Sequence, residues 1–440
     1  MNTSIKAPSA RQVAAAVIGN ALECYDFVIF GLLTAIISTV FFPSGNEYAS
    51  ILLTTATFGA GFFMRPVGGI LIAIYANRKG RKAAMQLIIA MMTIATALIA
   101  FTPSFAVIGA ASSVVVVAAR LLQGFATGGE FASSTALLVE MSPRERRGFY
   151  GSWMGFGQAL CFLLGAGAGA LITHSLTHDQ LYGWGWRIPF MFGLLIAPVG
   201  YWFRRHVQEP NVERVEQAEL AQDMRENRSP RQIRAALCGF FLTSASTIAQ
   251  YVLVAYMPTF ANKYLGIRLD DAFASQCLCL IVMIVSIPLF GALSDRIGRK
   301  SVLLFGLVLY AAILLPLFGW LVSAPSFPRL VVTLVLLSTP VAMLLAVYAP
   351  AMAEQFTFKH RSLGLAISYN IAVLLFGGFA QLIITWILHT TGSMMTPAYY
   401  LLVGAGLGIV GSLLARAPAT QSNFVSDRGR ADARAFDISS

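Results

Sequence analysis

Twelve stretches of this chain stay apolar over about 20 residues, the length a helix needs to cross the hydrocarbon of a bilayer. They fall at 13–42, 50–76, 83–102, 107–138, 149–173, 187–204, 235–261, 272–294, 301–322, 329–353, 364–388 and 397–415. The chain is 57% hydrophobic and 12% charged, roughly half the charge of a soluble domain, so a bilayer must take up apolar surface that no single core could hide. A helix satisfies its backbone polar groups within itself, which an open sheet in lipid cannot do. The fold class is therefore all-α integral membrane with twelve transmembrane helices. Met1 to Arg11 is polar and the apolar run behind it is too long for a cleaved signal, so the first span is expected to stay.

The basic residues report topology. A net charge of +11 could point to nucleic acid, but the basic residues sit in short blocks between apolar runs rather than on one face of a soluble domain. No nucleic-acid partner is expected; the lipid bilayer is. With the N-terminus inside, 25 of the 31 Lys and Arg fall in cytoplasmic segments, against four at outer ends: Arg187, Lys263, Arg268 and Arg329. That asymmetry puts both termini in the cytoplasm. Only Arg65 and Arg120 lie within spans.

The longest hydrophilic stretch, 204–234, divides the chain into a six-helix bundle at 1–203 and a second at 235–415, followed by a cytoplasmic tail at 416–440. The halves repeat: Asn77-Arg-Lys-Gly-Arg-Lys82 returns as Asp295-Arg-Ile-Gly-Arg-Lys300, each after the second helix of its half. Duplicated halves are the mark of secondary transporters, whose site lies near the midplane between the repeats.

The paired loop motifs resemble the signature of the major facilitator superfamily. More narrowly, Gly19-Asn-Ala-Leu-Glu-Cys-Tyr-Asp26, Met64-Arg-Pro-Val-Gly-Gly69, Arg120-Leu-Leu-Gln-Gly-Phe125 and Gly185-Trp-Arg-Ile-Pro-Phe190 resemble its metabolite:proton symporter family. Phe41-Phe-Pro43, Arg147-Gly-Phe-Tyr-Gly-Ser-Trp153 and Trp184-Gly-Trp186 bring the citrate-proton symporters nearest. The resemblance implies a monomer in the cell inner membrane that imports a small organic acid anion with protons, driven by the proton gradient and needing no cofactor. It also implies gating by Asn77, Arg78, Gly80, Arg81 and by Asp295, Arg296, Gly298, Arg299. Asn77 departs from the usual aspartate, which predicts a weaker inner gate in the first half, since an amide keeps a hydrogen bond and loses the charge.

Within that frame Arg120 is the most exacting residue, because a charge deep in an apolar helix costs at least about 3 kcal/mol and needs partners. Glu23 and Asp26, three apart and so on one helical face with Asn20 a turn before, are the expected partners. A carboxylate that loses its cation partner partway through a cycle takes up a proton more readily, so Glu23, Asp26, Arg120 and Glu130 are the proton-coupling candidates. Arg120, Arg65, Gln123, Asn20, Tyr150, Gln158, Tyr369 and Asn370 are the substrate-binding candidates. For Arg65 the alternative is that it satisfies carbonyls freed by Pro66; for Arg120, that it merely locks two helices. Glu130 could equally bind inner-loop arginines.

No metal is expected: His174 and His178 are only two ligands, and Cys277-x-Cys279 lacks a companion pair. All five cysteines are expected as reduced, packed thiols. No nucleophile–base pair stands out, so the chain is not expected to be an enzyme. Two alternatives to organic-anion import are a proline or betaine symporter of the same family and a transporter-like sensor. Osmosensing relatives tend to carry a long heptad-bearing extension, whereas 418–440 is short and polar.

Overall fold

The computed structural model describes residues 10–79, 81–129, 142–194, 229–356 and 358–415, and its regular structure is helical throughout. A helix stands at each of the twelve expected places. The first span is Ala10–Leu32 with Thr34–Phe41, the second Glu47–Phe63 with Arg65–Lys79, the third Arg81–Phe101 and the fourth Ala110–Ala126. The fifth is Arg147–Ser175, and the sixth is described over 187–194. The seventh runs from Ser229–Ile248 through Ala249–Tyr256 to Met257–Lys263. Then follow Leu269–Ile297, Arg299–Ser323 and Phe327–Ala353. The eleventh is built of Phe358–Ala372, Val373–Gly378 and Ala380–Thr391, and Thr396–Leu414 is the twelfth. Among the described residues eight helices are long and apolar enough to cross a membrane, or nine with the bent first span counted. The segments at 195–228 and 416–440, with most of the expected central loop and tail, lie outside the described residues, as does Glu130.

Four spans depart from the straight helices the sequence predicts. The first bends by 66° at Leu33, where the Thr34 hydroxyl donates to the Gly31 carbonyl at 2.8 Å, a local replacement for interrupted helical bonding. The second breaks at Met64, ahead of Pro66, which brings no N–H to the helix. The seventh and eleventh each widen into π-helix, over Ala249–Tyr256 and Val373–Gly378; such segments are frequent at functional sites.

Outward faces carry apolar side chains such as Phe63, Ile70, Leu289, Phe305 and Trp386, each more than half exposed, as a lipid-facing surface requires. Inside the first half, the second and fourth spans meet backbone to backbone. A Cβ on Gly124 would collide with the Gly61 carbonyl, and one on Gly68 with that of Phe125. Small residues permit such approach in membranes, and here it sets Arg65 and Arg120 on two helices that touch. Two further glycines bring the fifth span close to its neighbours: Gly165 meets Leu32 of the first span and Gly169 the Phe273 ring of the eighth.

Candidate functional site

Arg120 is completely enclosed. Its Nη1 donates to the Phe27 carbonyl at 3.0 Å and to Gln123 Oε1 at 2.6 Å, and Nη2 reaches the Phe58 carbonyl at 3.5 Å. The guanidinium carbon lies 4.3, 4.9 and 5.0 Å from the ring centroids of Phe27, Phe30 and Phe58. Carbonyl dipoles and aromatic faces thus take the place of the expected ion pair, and among the described residues no carboxylate lies within salt-bridge distance of Arg120. The reason is rotational. Consecutive helical residues project about 100° apart, so with Phe27 turned toward Arg120, Asp26 faces another way.

Asp26 is buried against the sixth span, where a Cβ on Gly193 would collide with its Oδ1. That oxygen has no hydrogen-bond partner. The carboxyl is within hydrogen-bonding reach of the Thr96 hydroxyl, which accepts from Gln123 Nε2 at 3.1 Å. Gln123 also donates to the Asp26 backbone carbonyl at 3.2 Å. Asp26 and Arg120 are therefore joined through two neutral side chains, Thr96 and Gln123, rather than by contact. Glu23 lies on the same helix with its side chain outside the described set. Asn20 Oδ1 is buried without a partner, beside Gly157 of the fifth span.

Arg65 shares the Phe27 ring with Arg120. Its guanidinium carbon is 4.4 Å from that centroid and 4.6 Å from Phe62. Tyr369 of the eleventh span lies within electrostatic reach of Arg65, and the buried Arg65 Nε is unpartnered. The guanidinium lies against the faces of Phe27 and Phe62. Around the two arginines Phe27, Phe58, Phe62 and Tyr251 pack edge to face or tilted, with centroids 4.7 to 5.9 Å apart.

The second half supplies tyrosines. Tyr348 of the tenth span donates to Gln158 Oε1 of the fifth at 3.1 Å, and Tyr251 stands in the π-helical part of the seventh. Sequence reasoning passed over Tyr251, Tyr348, Thr96 and Phe27; a lone tyrosine or threonine in an apolar span is the one signal that could have found the first three. Tyr150 lies elsewhere, edge to face with Phe149 at the inner end of the fifth span, with centroids 5.3 Å apart. Asn370 donates to the Gly128 carbonyl at 3.0 Å, so it ties the halves together below the site.

Contacts between the halves occur on both sides of the site. On the inner side Asp295 accepts from the Gly148 and Phe149 amides, each at 2.8 Å, and so caps the fifth helix. Arg299 pairs with Asp295 at 2.7 Å and with Glu354 at 3.3 Å; Arg296 is exposed, and Gly298 turns the chain at φ 92°. In the first repeat Arg78 is exposed, Gly80 lies outside the described residues, and so do the side chains of Asn77 and Arg81. On the outer side Lys263 pairs with Glu47 at 2.6 Å, and Tyr48 meets His389 with ring centroids 3.7 Å apart.

The sequence model of the Major Facilitator Superfamily matches residues 16–286 and 277–437. A citrate-proton symporter of Klebsiella pneumoniae is 34% identical over 400 residues, covering 89% of this chain and 88% of the relative. A proline/betaine transporter of Escherichia coli K12 is 29% identical, covering 91% and 82%. Among solved structures, a D-xylose-proton symporter superposes with a TM-score of 0.74 at 19% identity over 92% of this chain and 96% of that one, a likeness of fold.

Proposed function

This chain belongs to the major facilitator superfamily and is a multi-pass, proton-coupled transporter of the inner membrane, and on that footing we propose that it imports a citrate-like di- or tricarboxylate by alternating access. The carrying observation is the pair of buried guanidiniums, Arg65 and Arg120, on either side of the second–fourth span contact. Neither has a carboxylate partner among the described residues, and both share the Phe27 ring. Two guanidinium forks in a low-dielectric chamber complement an anion with more than one carboxylate. Gln123, Gln158, Asn20, Tyr369, Tyr251 and Tyr348 supply the surrounding polar groups.

Asp26 is the proton site in this reading, with Glu23 beside it. The Thr96–Gln123 link carries the state of the Asp26 carboxyl to Arg120: when Asp26 gains a proton, Thr96 and Gln123 reorient and the hold of Gln123 on the guanidinium changes. The substrate anion and Gln123 then compete for the same nitrogen. Asp295, Arg299 and Glu354 form the inner latch, closed when the fifth helix is capped. The transporter acts as a monomer.

A proline or betaine symporter is the second reading, and the aromatic cluster favours it at first sight, since such faces bind quaternary ammonium groups. Those faces are already covered by Arg65 and Arg120, which favours the anion. Counterflow in proteoliposomes with labelled citrate, tricarballylate, 2-oxoglutarate, shikimate and proline, with and without a pH gradient, decides. Exchange of a di- or tricarboxylate, accumulated only with an inward proton gradient, is expected; exchange of proline alone overturns the proposal.

A further inference from the structure

The coupling network makes no use of two cysteines that meet in the middle of the first half. Cys161 of the fifth span lies with its Sγ 2.7 Å from Cys24 Sγ of the first, and both are free thiols. A disulfide bond is about 2.0 Å long and needs backbones close together. Here the backbones are close for a reason visible in the sequence. Gly157, Cys161 and Gly165 are small residues one turn apart on one face of the fifth span. Gly157 meets Val17 and Asn20, and Gly165 meets Ile29 and Leu32, so the first and fifth helices run side by side in register with the cysteines between.

The pair also lies beside tyrosines of the candidate site. Tyr251 and Tyr369, both from the second half, lie within electrostatic reach of both sulfurs. Cys24 is partly exposed whereas Cys161 is buried. Cys161 donates to the Gln158 carbonyl at 3.0 Å, one turn from the Gln158 side chain that holds Tyr348.

We propose that Cys24 and Cys161 form a site of reversible oxidation, at which hydrogen peroxide entering the chamber closes an intramembrane disulfide between the first and fifth spans. The Cys24 sulfur attacks one peroxide oxygen, the O–O bond breaks, and a sulfenic acid and one water result. The Cys161 sulfur then attacks that sulfenic sulfur, the S–S bond forms and a second water leaves. Each sulfur gives up one electron, and the peroxide takes both. A small dithiol reverses the step by exchange. The bond fastens two helices that otherwise only pack, and it ties the Gln158 wall to the helix that bears Asp26.

The test needs no knowledge of the substrate. Full-length protein in proteoliposomes is treated with hydrogen peroxide, denatured in detergent with N-ethylmaleimide, digested and analysed by mass spectrometry. The expected result is that most chains yield a Cys24–Cys161 linked peptide, lost after dithiothreitol, while Cys238, Cys277 and Cys279 remain alkylated. The linked protein should also melt at a higher temperature than the reduced one. In Cys24→Ser and Cys161→Ser both changes should be absent. Full alkylation of Cys24 and Cys161 after peroxide, or sulfinic acid at Cys24 without linkage, overturns the proposal. So does linkage of either residue to another cysteine.

Discussion

The two halves of the molecule share one fold and divide the chemistry unequally. The first half holds Asp26, Arg65 and Arg120 buried at midspan. Among the described residues, the midspan polar groups of the second half are uncharged: Gln250, Gln276, Gln381, several hydroxyls and the tyrosines. Among the described residues, charge returns to the second half at its ends, as in Lys263 outside and in Asp295, Arg299 and Glu354 inside. A duplicated scaffold has thus kept its geometry in both copies while concentrating buried charge in one. Among the described residues the other copy presents a neutral midspan wall and a cluster of ion pairs at its inner end, a division that fits the proposal of one half carrying the ions and the other closing over them.

Arg120 tests that division most severely. Arg120→Lys keeps the charge and loses the fork, so three hydrogen bonds and the stacking on Phe27 cannot all be remade. Leaving buried hydrogen-bond partners unmet costs about 1–3 kcal/mol, which is a fall of about 10- to 100-fold in counterflow of the proposed substrate, with the folded fraction checked by size-exclusion chromatography. An unchanged rate would place the chemistry elsewhere.

Asp26→Asn should separate two activities. The expected outcome is loss of proton-driven accumulation with counterflow retained, because the isosteric amide keeps the packing against Gly193 and removes the titrating group. Glu23→Gln measured beside it shows whether one carboxylate or both couple. Retained accumulation in both variants would break the assignment of proton coupling to the first half.

The proposed latch of the second half should give a smaller effect. Asp295→Asn removes a charge from the fifth helix N-terminus and from Arg299, worth about 1–2 kcal/mol. That corresponds to a shift of about tenfold toward inward-facing chains, read by accessibility labelling of an introduced cysteine. Asn77→Asp should move the balance the other way; no change would remove the expectation of a weaker latch in the first repeat. The smallest effect is at the outer pair. Glu47 is 65% exposed, so Lys263→Met should alter the balance by less than about fivefold, and the difference should fade at high salt.

The sequence made the spans readable because bilayer thickness imposes a length on apolar runs, and it made Arg120 readable because a lone charge in such a run stands out. Asp295 was readable through its repeated motif. The partner of Arg120 was not, since choosing between Asp26 and its neighbour Phe27 depends on a rotation of about 100° per residue that composition leaves open. The π-helical widenings around Tyr251 and Gly377 were hidden for a related reason: a change of helical pitch alters which residues face inward without altering how apolar they are.

The backbone contact at Gly61 and Gly124 has one more consequence. Two helices without side chains between them cannot slide or part without losing that fit, so the separation of Arg65 and Arg120 behaves as a ruler of fixed pitch. If these two forks hold the anion, molecules are sorted by the span between their carboxylates. Tolerance for groups in between is then set by the neutral wall opposite, and descendants of this scaffold could acquire new cargo by changing that wall while leaving the ruler untouched.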